Sequence, residues 1–246
     1  MKNSKQKIGI LGYGEVGQAI AKFYKNPSIK DLTRDDGLIG SDILNICVPW
    51  SDKFMAIVEE EIKKVKPKLT IIHSTVAPGV TKKIGQKFNE MVVHSPVRGV
   101  HPNLYKGIKT FVKYVGADGK KAGELAEKHL KGLGIKTKLL FPSCATELAK
   151  ILDTSYYGVC IAWHGEMKKV CDKFNVDFGQ TVSDFNKTYN DGYAKLGMCN
   201  VVRPVLLPPK GVIGGHCVIP NAEILKKDFD SLAVDLILSY RKGPSQ

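Results

Sequence analysis

The stretch Lys7-Ile-Gly-Ile-Leu-Gly-Tyr-Gly-Glu-Val-Gly-Gln-Ala-Ile20 limits what this chain can become more than any other part of it. Lys7 to Leu11 is a short apolar run that reads as a buried strand, and Gln18 to Tyr24 carries an amphipathic helical pattern. Gly12, Gly14 and Gly17 stand between them in the spacing of a dinucleotide-binding turn. Gly12 permits the tight turn, Gly14 lets a pyrophosphate approach the backbone, and Gly17 lets the helix pack on the strand. The start of the helix then offers N–H groups and a partial positive charge to phosphates. Strand, turn and helix together define a Rossmann-type unit, with Gly12, Tyr13, Gly14, Glu15, Val16 and Gly17 as expected cofactor contacts.

The second strand, Ser28 to Leu32, carries Asp31, about twenty positions beyond the turn. A carboxylate there accepts both ribose hydroxyls of NAD and repels the extra phosphate of NADP. Arg34 stands close by and would favour a 2′-phosphate, so NAD is the expected cofactor and NADP the alternative. Asp31, Arg34, Asp35 and Asp36 can also be read simply as a polar turn.

Further strands are expected at Ile43 to Val48, Leu69 to His73, Met91 to Ser95, Thr110 to Gly116 and Ile135 to Phe141. Helices are expected over 53–66, from about Val80 to Phe88, and before the last strand with Asp118 as its cap. Such alternation requires crossover connections and a doubly wound, mostly parallel sheet. Ligands sit beyond the carboxyl ends of its strands. That rim holds Val48 and Pro49, Ser74 and Thr75, and Ser95 and Pro96.

From Ser143, a candidate helix cap, the alternation stops. Residues 146–173 read as one long helix, Phe178 to Lys195 as a second and 221–240 as a third, with a loop rich in proline and glycine over 204–220. The expected fold class is therefore α/β, a Rossmann domain over 1–142 followed by a smaller all-helical domain over 143–246. Ile151, Val159, Ile161, Trp163, Met167 and Val170 place apolar surface on more than one side of the long helix, which suits a homodimer.

Composition excludes several other classes. The formal charge of +13 would suit a phosphate-rich partner. The lysines, however, are spread over many expected helix faces, with no basic stripe interleaved with aromatics. A solvated surface that draws in anionic cofactors and substrates is the reading adopted, and nucleic acid is not an expected partner. Six scattered cysteines lack paired metal-ligand spacing, so no metal site is expected. No run approaches membrane-spanning length and nothing resembles a secretory signal, so a cytoplasmic protein is expected.

Gly12-Tyr-Gly-Glu-Val-Gly17, Val48-Pro49, Ser74-Thr-Val-Ala-Pro-Gly79, Glu147-Leu-Ala-Lys150 and Gly211-Val-Ile-Gly-Gly-His-Cys217 occur in an order and spacing that resembles the UDP-glucose/GDP-mannose dehydrogenase family. The Gly-Gly-His-Cys segment is the most specific of these. More distantly the chain is similar to the 6-phosphogluconate and β-hydroxyacid dehydrogenases. The resemblance implies an NAD-dependent oxidation of an alcohol on a nucleotide-sugar or other anionic substrate, carried twice to a carboxylate. It implies Cys217 as the nucleophile that captures the aldehyde, its thiolate favoured by the start of a helix near Pro220 and by His216. It implies Lys150 as the stabiliser of negative charge on the reacting oxygen, and Thr75 as the hydroxyl that positions cofactor and water.

Departures from the family pattern are equally specific. Thr154 stands where the family has asparagine, and Asn221 where it has aspartate; an amide cannot act as a general base. The glutamate expected after Ser95-Pro96 is replaced by Val97-Arg98, and the family continues into a UDP-binding domain beyond the end of this sequence. These changes bear on the second oxidation, which leaves a two-electron oxidation or a catalytically degenerate NAD-binding sensor or partner subunit as alternatives. Arg98, His94 and His101 lie where they can bind an anion, or can be ordinary histidines satisfied by backbone.

Overall fold

The computed structural model describes residues 6–215 and 217–241. Contacts divide the chain into two compact units, 1–150 and 151–246. The division falls between Lys150 and Ile151 rather than at the 142/143 junction, because the first turns of the long helix are fastened to the sheet.

The first unit is an eight-stranded sheet in the order β3-β2-β1-β4-β5-β6-β7-β8. The strands are β1 (Ile8–Leu11), β2 (Ser28–Asp31), β3 (Arg34–Asp35), β4 (Ile43–Ile46), β5 (Leu69–Ile72), β6 (Val92–His94), β7 (Lys113–Ala117) and β8 (Thr137–Leu140). Its helices are α1 (Glu15–Ala21), α2 (Phe54–Val65), α3 (Val80–Gly85), α4 (Leu104–Thr110) and α5 (Lys120–Gly132). Pairing is parallel except at the β2–β3 hairpin and between β6 and β7. The switch of strand order lies between β1 and β4, which flank the glycine turn.

Period-two alternation along the strands fills two cores. Ile10, Ile43, Ile71 and Val93 join Ala19, Ile20, Ala126 and Leu130 on one face. Leu11, Leu44, Ile46, Ile72 and Val92 join Phe54, Val58, Ile62 and Ile84 on the other. A sheet buried on both faces explains why β1, β4 and β5 read as continuous apolar runs.

α6 (Cys144–Lys173) is the long helix. The second unit also contains a π-helical turn at Gly179–Asp184, α7 (Phe185–Lys195), α8 (Val218–Asp228) and α9 (Leu232–Leu238). Gly158 allows close packing there, since a Cβ on it would stand 2.6 Å from Val218 Cγ1 and 3.2 Å from Ile237 Cδ1. No helix among the described residues is long and apolar enough to cross a membrane.

Several expectations are corrected. Thr110 ends α4 rather than opening a strand, and β7 begins at Lys113. Residues 221–240 form two helices starting at Val218, separated at Phe229–Ser231, where Ser231 Oγ accepts from the Ala233 amide at 3.3 Å. Asp118 does not cap α5, whose first flanking residue is Gly119 with no side-chain cap. Its carboxylate instead accepts from Ser143 Oγ at 2.5 Å.

Candidate active site

The glycine turn is built by steric exclusion. Gly12 sits at φ 91°, and a Cβ there would lie 2.7 Å from the Val48 amide nitrogen. A Cβ on Gly17 would overlap the carbonyl oxygen of Gly12, so α1 can close on β1 only with glycine at this position. At Gly14 a Cβ would meet nothing within 4 Å. The exposed backbone there is the open side of the turn, where a phosphate can approach; a nicotinamide dinucleotide therefore fits the cradle.

Asp31, at the end of β2, turns its carboxylate back over this cradle. Oδ2 accepts from the Tyr13 amide and Oδ1 from the Leu32 amide at 2.6 Å. Arg34 is engaged elsewhere: its guanidinium donates to Asp36 at 2.7 and 3.0 Å and lies over the Tyr13 ring. Hydrogen bonding to Arg34 holds the Asp36 carboxyl below its ordinary range. Glu15, the first residue of α1, contacts the imidazole of His101.

The remaining rim follows the strand ends. Val48 and Pro49 come after β4, and Ser74 Oγ donates to the Val48 carbonyl at 2.6 Å, tying the loop after β5 to the loop after β4. Thr75 is half-buried in that tied loop. Lys150, also half-buried, lies on the portion of α6 that belongs to the first unit.

Two buried groups hold this arrangement from below. His94 is fully buried, with Nε2 3.1 Å from the Ser74 carbonyl and Nδ1 2.8 Å from Thr146 Oγ1. A neutral ring satisfies both partners when Nε2 carries the proton and Nδ1 accepts the threonine hydroxyl. Burial pushes its pKa down to about 3, opposed by the Ser74 hydrogen bond and assisted by Lys113 and Lys150. His94 is therefore not the exposed anion ligand that its place at a strand end allows. Lys113 donates to the carbonyls of Ser95 at 2.7 Å and Pro96 at 3.2 Å, and burial lowers its pKa to about 7. Arg98 spreads over Phe111 and Tyr114, with its guanidinium carbon 5.5 and 5.7 Å from their ring centres.

In the second unit, Thr154 and Cys217 are half-buried. Cys217 is the residue flanking the start of α8, and its carbonyl accepts from the Asn221 amide nitrogen at 3.1 Å. Asn221 is buried, and its side-chain Nδ2 has no hydrogen-bond partner among the described residues. His216, expected to assist the thiolate, lies outside the described residues. No cluster of three or more metal-ligating side chains occurs among the described residues.

Sequence reasoning passed over Glu147, which is fully buried and accepts from the Gly79 and Thr81 amides at 2.6 and 2.8 Å. Its place in Glu147-Leu-Ala-Lys150 was the available signal, but partners 66 and 68 residues away cannot be read from spacing.

No family profile matches the chain. The chain is 28% identical, over 190 residues, to the UDP-N-acetyl-D-mannosamine dehydrogenase of Methanococcus maripaludis, covering 76% of this chain and 40% of that protein. At 23–28% identity the chain is similar to several proteins of that name. Its fold matches the UDP-D-ManNAc dehydrogenase of Pyrococcus horikoshii with a TM-score of 0.78 at 18% identity, over 96% of this chain and 68% of that one. The 3-hydroxyisobutyrate dehydrogenase of Mycobacterium tuberculosis matches with a TM-score of 0.69 at 14% identity, over 95% of this chain and 91% of that one. These structural likenesses show the fold, a sheet unit followed by a helical unit. The chain spans 33% to 55% of the length of the first curated relatives of the UDP-sugar dehydrogenase group.

Proposed function

We propose that this chain binds NAD and oxidises a hydroxyl group on an anionic, sugar-derived substrate, with a nucleotide sugar as the class indicated by the relatives' names. The observation that supports the reading is the closure of Asp31 onto the Tyr13 amide beside an open glycine cradle, a geometry in which its carboxylate would meet the ribose of a bound cofactor. Engagement of Arg34 with Asp36 favours NAD over NADP, because the guanidinium would have to leave that pair to meet a 2′-phosphate.

NAD, when bound, supplies the hydride acceptor. Residues 12–17 would hold its pyrophosphate through backbone amides, Asp31 its ribose hydroxyls, and Val48 and Pro49 would border it. Thr75 would orient cofactor and water through its hydroxyl. Lys150 would stabilise negative charge on the reacting oxygen, a role in which a fixed ammonium is worth several kcal/mol, about 3, in a shielded site. Cys217 would capture an aldehyde through its thiolate. Asn221 cannot remove a proton from the water that would release a thioester from Cys217, so the two-electron oxidation, with the aldehyde as product, is the turnover proposed.

Tyr156, Tyr157, Trp163 and Val170 are exposed on α6, which supports the homodimer reading. A cytoplasmic location, with its nicotinamide pool, suits the proposed oxidation. Purified protein mixed with NAD and a panel containing UDP-N-acetylmannosamine, UDP-glucose and simple hydroxy acids should give a rise in NADH absorbance. Lys150→Ala should lower that rate about 100-fold.

One observation favours a second reading. The buried amide of Asn221 at an expected catalytic position suits a degenerate relative that binds NAD as a sensor or partner subunit. Cofactor-induced stabilisation with no oxidation of any panel member would select it.

A further inference from the structure

The first turns of α6 make a set of bonds to the sheet that all point along one helix face. Ser143 Oγ reaches Asp118, Thr146 Oγ1 meets His94, and Glu147 takes the amides of Gly79 and Thr81 at the start of α3. Lys150 follows Thr146 by four residues and Glu147 by three, so it continues the same face one turn later. The loop that Glu147 grips is the one that carries Thr75, with Ser74 at its near end held by His94 and Gly79 at its far end held by Glu147. Each carboxylate oxygen is committed to one amide, which fixes both the position and the orientation of the side chain.

We propose that Glu147 is a positioning residue: its two-pronged grip on the Gly79 and Thr81 amides sets the distance and angle between the Thr75 loop and Lys150. The inference rests on the reading above that Thr75 and Lys150 face bound cofactor and substrate. Glu147 itself touches neither. Its carboxyl is buried, which pushes its pKa up, while the Thr81 and Gly79 amides favour the charged form. A neutral side chain in its place keeps one acceptor but turns a donor toward the second amide, so the loop must shift to relieve the opposed N–H groups.

Glu147→Gln is the discriminating variant, since Glu147→Ala leaves two buried amides without an acceptor and can unfold the unit. With a sugar substrate that the wild type oxidises, Glu147→Gln should lower kcat by tenfold to about 100-fold and leave KM for NAD within about threefold, because a misplacement near 1 Å costs on that scale. Glu147→Asp, which retains charge but shortens the arm, should fall between. A kcat within twofold of wild type, with only the melting temperature lowered, would overturn the inference.

Should the wild type oxidise nothing, the dehydrogenase reading fails, and a second readout still decides this inference. Trinitrobenzenesulfonate labelling of Lys150, followed by peptide mass spectrometry, should be slowed by NAD in the wild type. The protection should be lost in Glu147→Gln while the calorimetric Kd for NAD stays within about threefold. Protection that is unchanged in the variant, or absent in the wild type, overturns the proposal.

Discussion

His94 Nδ1 lies 2.8 Å from the Thr146 hydroxyl, fastening the end of β6 to the first turn of α6. The ring is fully buried and its other nitrogen faces the Ser74 carbonyl, so charging it is opposed chiefly by the loss of solvation. Burial therefore holds its pKa at about 3, that of His129 at about 4 and that of His73 well below the ordinary 6.5. The unfolded chain takes up these protons near pH 6.5 and the folded chain does not. Stability should be fully present above pH 6.5 and fall as pH drops toward 4. Each excluded proton contributes a slope of about 1.4 kcal/mol per pH unit. Chemical denaturation across that range should give a smaller slope for His94→Gln than for wild type; equal slopes would remove His94 from the account.

Lys113 predicts the opposite end of the pH scale. Its ammonium has two carbonyl acceptors and no carboxylate partner among the described residues, and its pKa is lowered from 10.5 to about 7. Below pH 7 both folded and unfolded chains carry the charge, so stability does not change there on its account. From 7 toward 10.5 only the unfolded chain is protonated, and stability should rise by about 1.4 kcal/mol per pH unit. Cys47 counters this above pH 9, since its buried thiol is pushed up from 9.0 to about 12 and stays protonated while the unfolded thiol ionises. The net gain should therefore be clearest between pH 7 and 9. Urea midpoints for wild type and Lys113→Met in that window test it, the variant being expected to show no rise.

What could be read in the sequence was the local chemistry. Gly12, Gly14 and Gly17, the apolar strands and the long helix each announce themselves within a few residues, and the structure places them in a doubly wound sheet followed by helices. What could not be read depends on partners far along the chain. β7 runs antiparallel to β6 although the segment between them contains a helix, α4, so alternation of strand and helix did not signal the reversal. Asp118 has the composition of a cap but answers to Ser143, and His94 has the position of a ligand but serves Thr146 and Ser74. Glu147 stands inside the Glu147-Leu-Ala-Lys150 stretch, yet nothing short of the folded chain shows that its acceptor oxygens meet Gly79 and Thr81.

The glycine turn separates folding from binding. A methyl group on Gly17 overlaps the Gly12 carbonyl, so Gly17→Ala should push α1 off β1 and lower the stability of the first unit by about 1–3 kcal/mol. A methyl group on Gly14 meets no protein atom within 4 Å, so Gly14→Ala should keep the wild-type melting temperature. The same methyl group occupies the space through which a phosphate approaches, and NAD affinity should drop about tenfold, equivalent to ~1.4 kcal/mol. Calorimetry and thermal melts on the pair distinguish the two effects. A Gly14→Ala protein that binds NAD as tightly as wild type would mean that the cradle is not where the pyrophosphate rests.

Asp31 should govern cofactor choice by charge as well as by shape. Its carboxylate is aligned by the Tyr13 and Leu32 amides, which hold it at the end of β2 beside the turn. An ionised oxygen at that place accepts ribose hydroxyls and repels a phosphate, and Arg34 is occupied by Asp36 rather than free to offset the repulsion. Asp31→Asn removes the charge while keeping an acceptor for one amide. NAD affinity should fall about tenfold, with NADP affinity unchanged or improved, so that the ratio of the two dissociation constants moves by at least one order of magnitude. Adding Asp36→Ala releases Arg34 and should carry the ratio further toward NADP. Wild-type protein that binds NADP more tightly than NAD would show that the Arg34–Asp36 pair opens on binding, and with it the argument for NAD would fall.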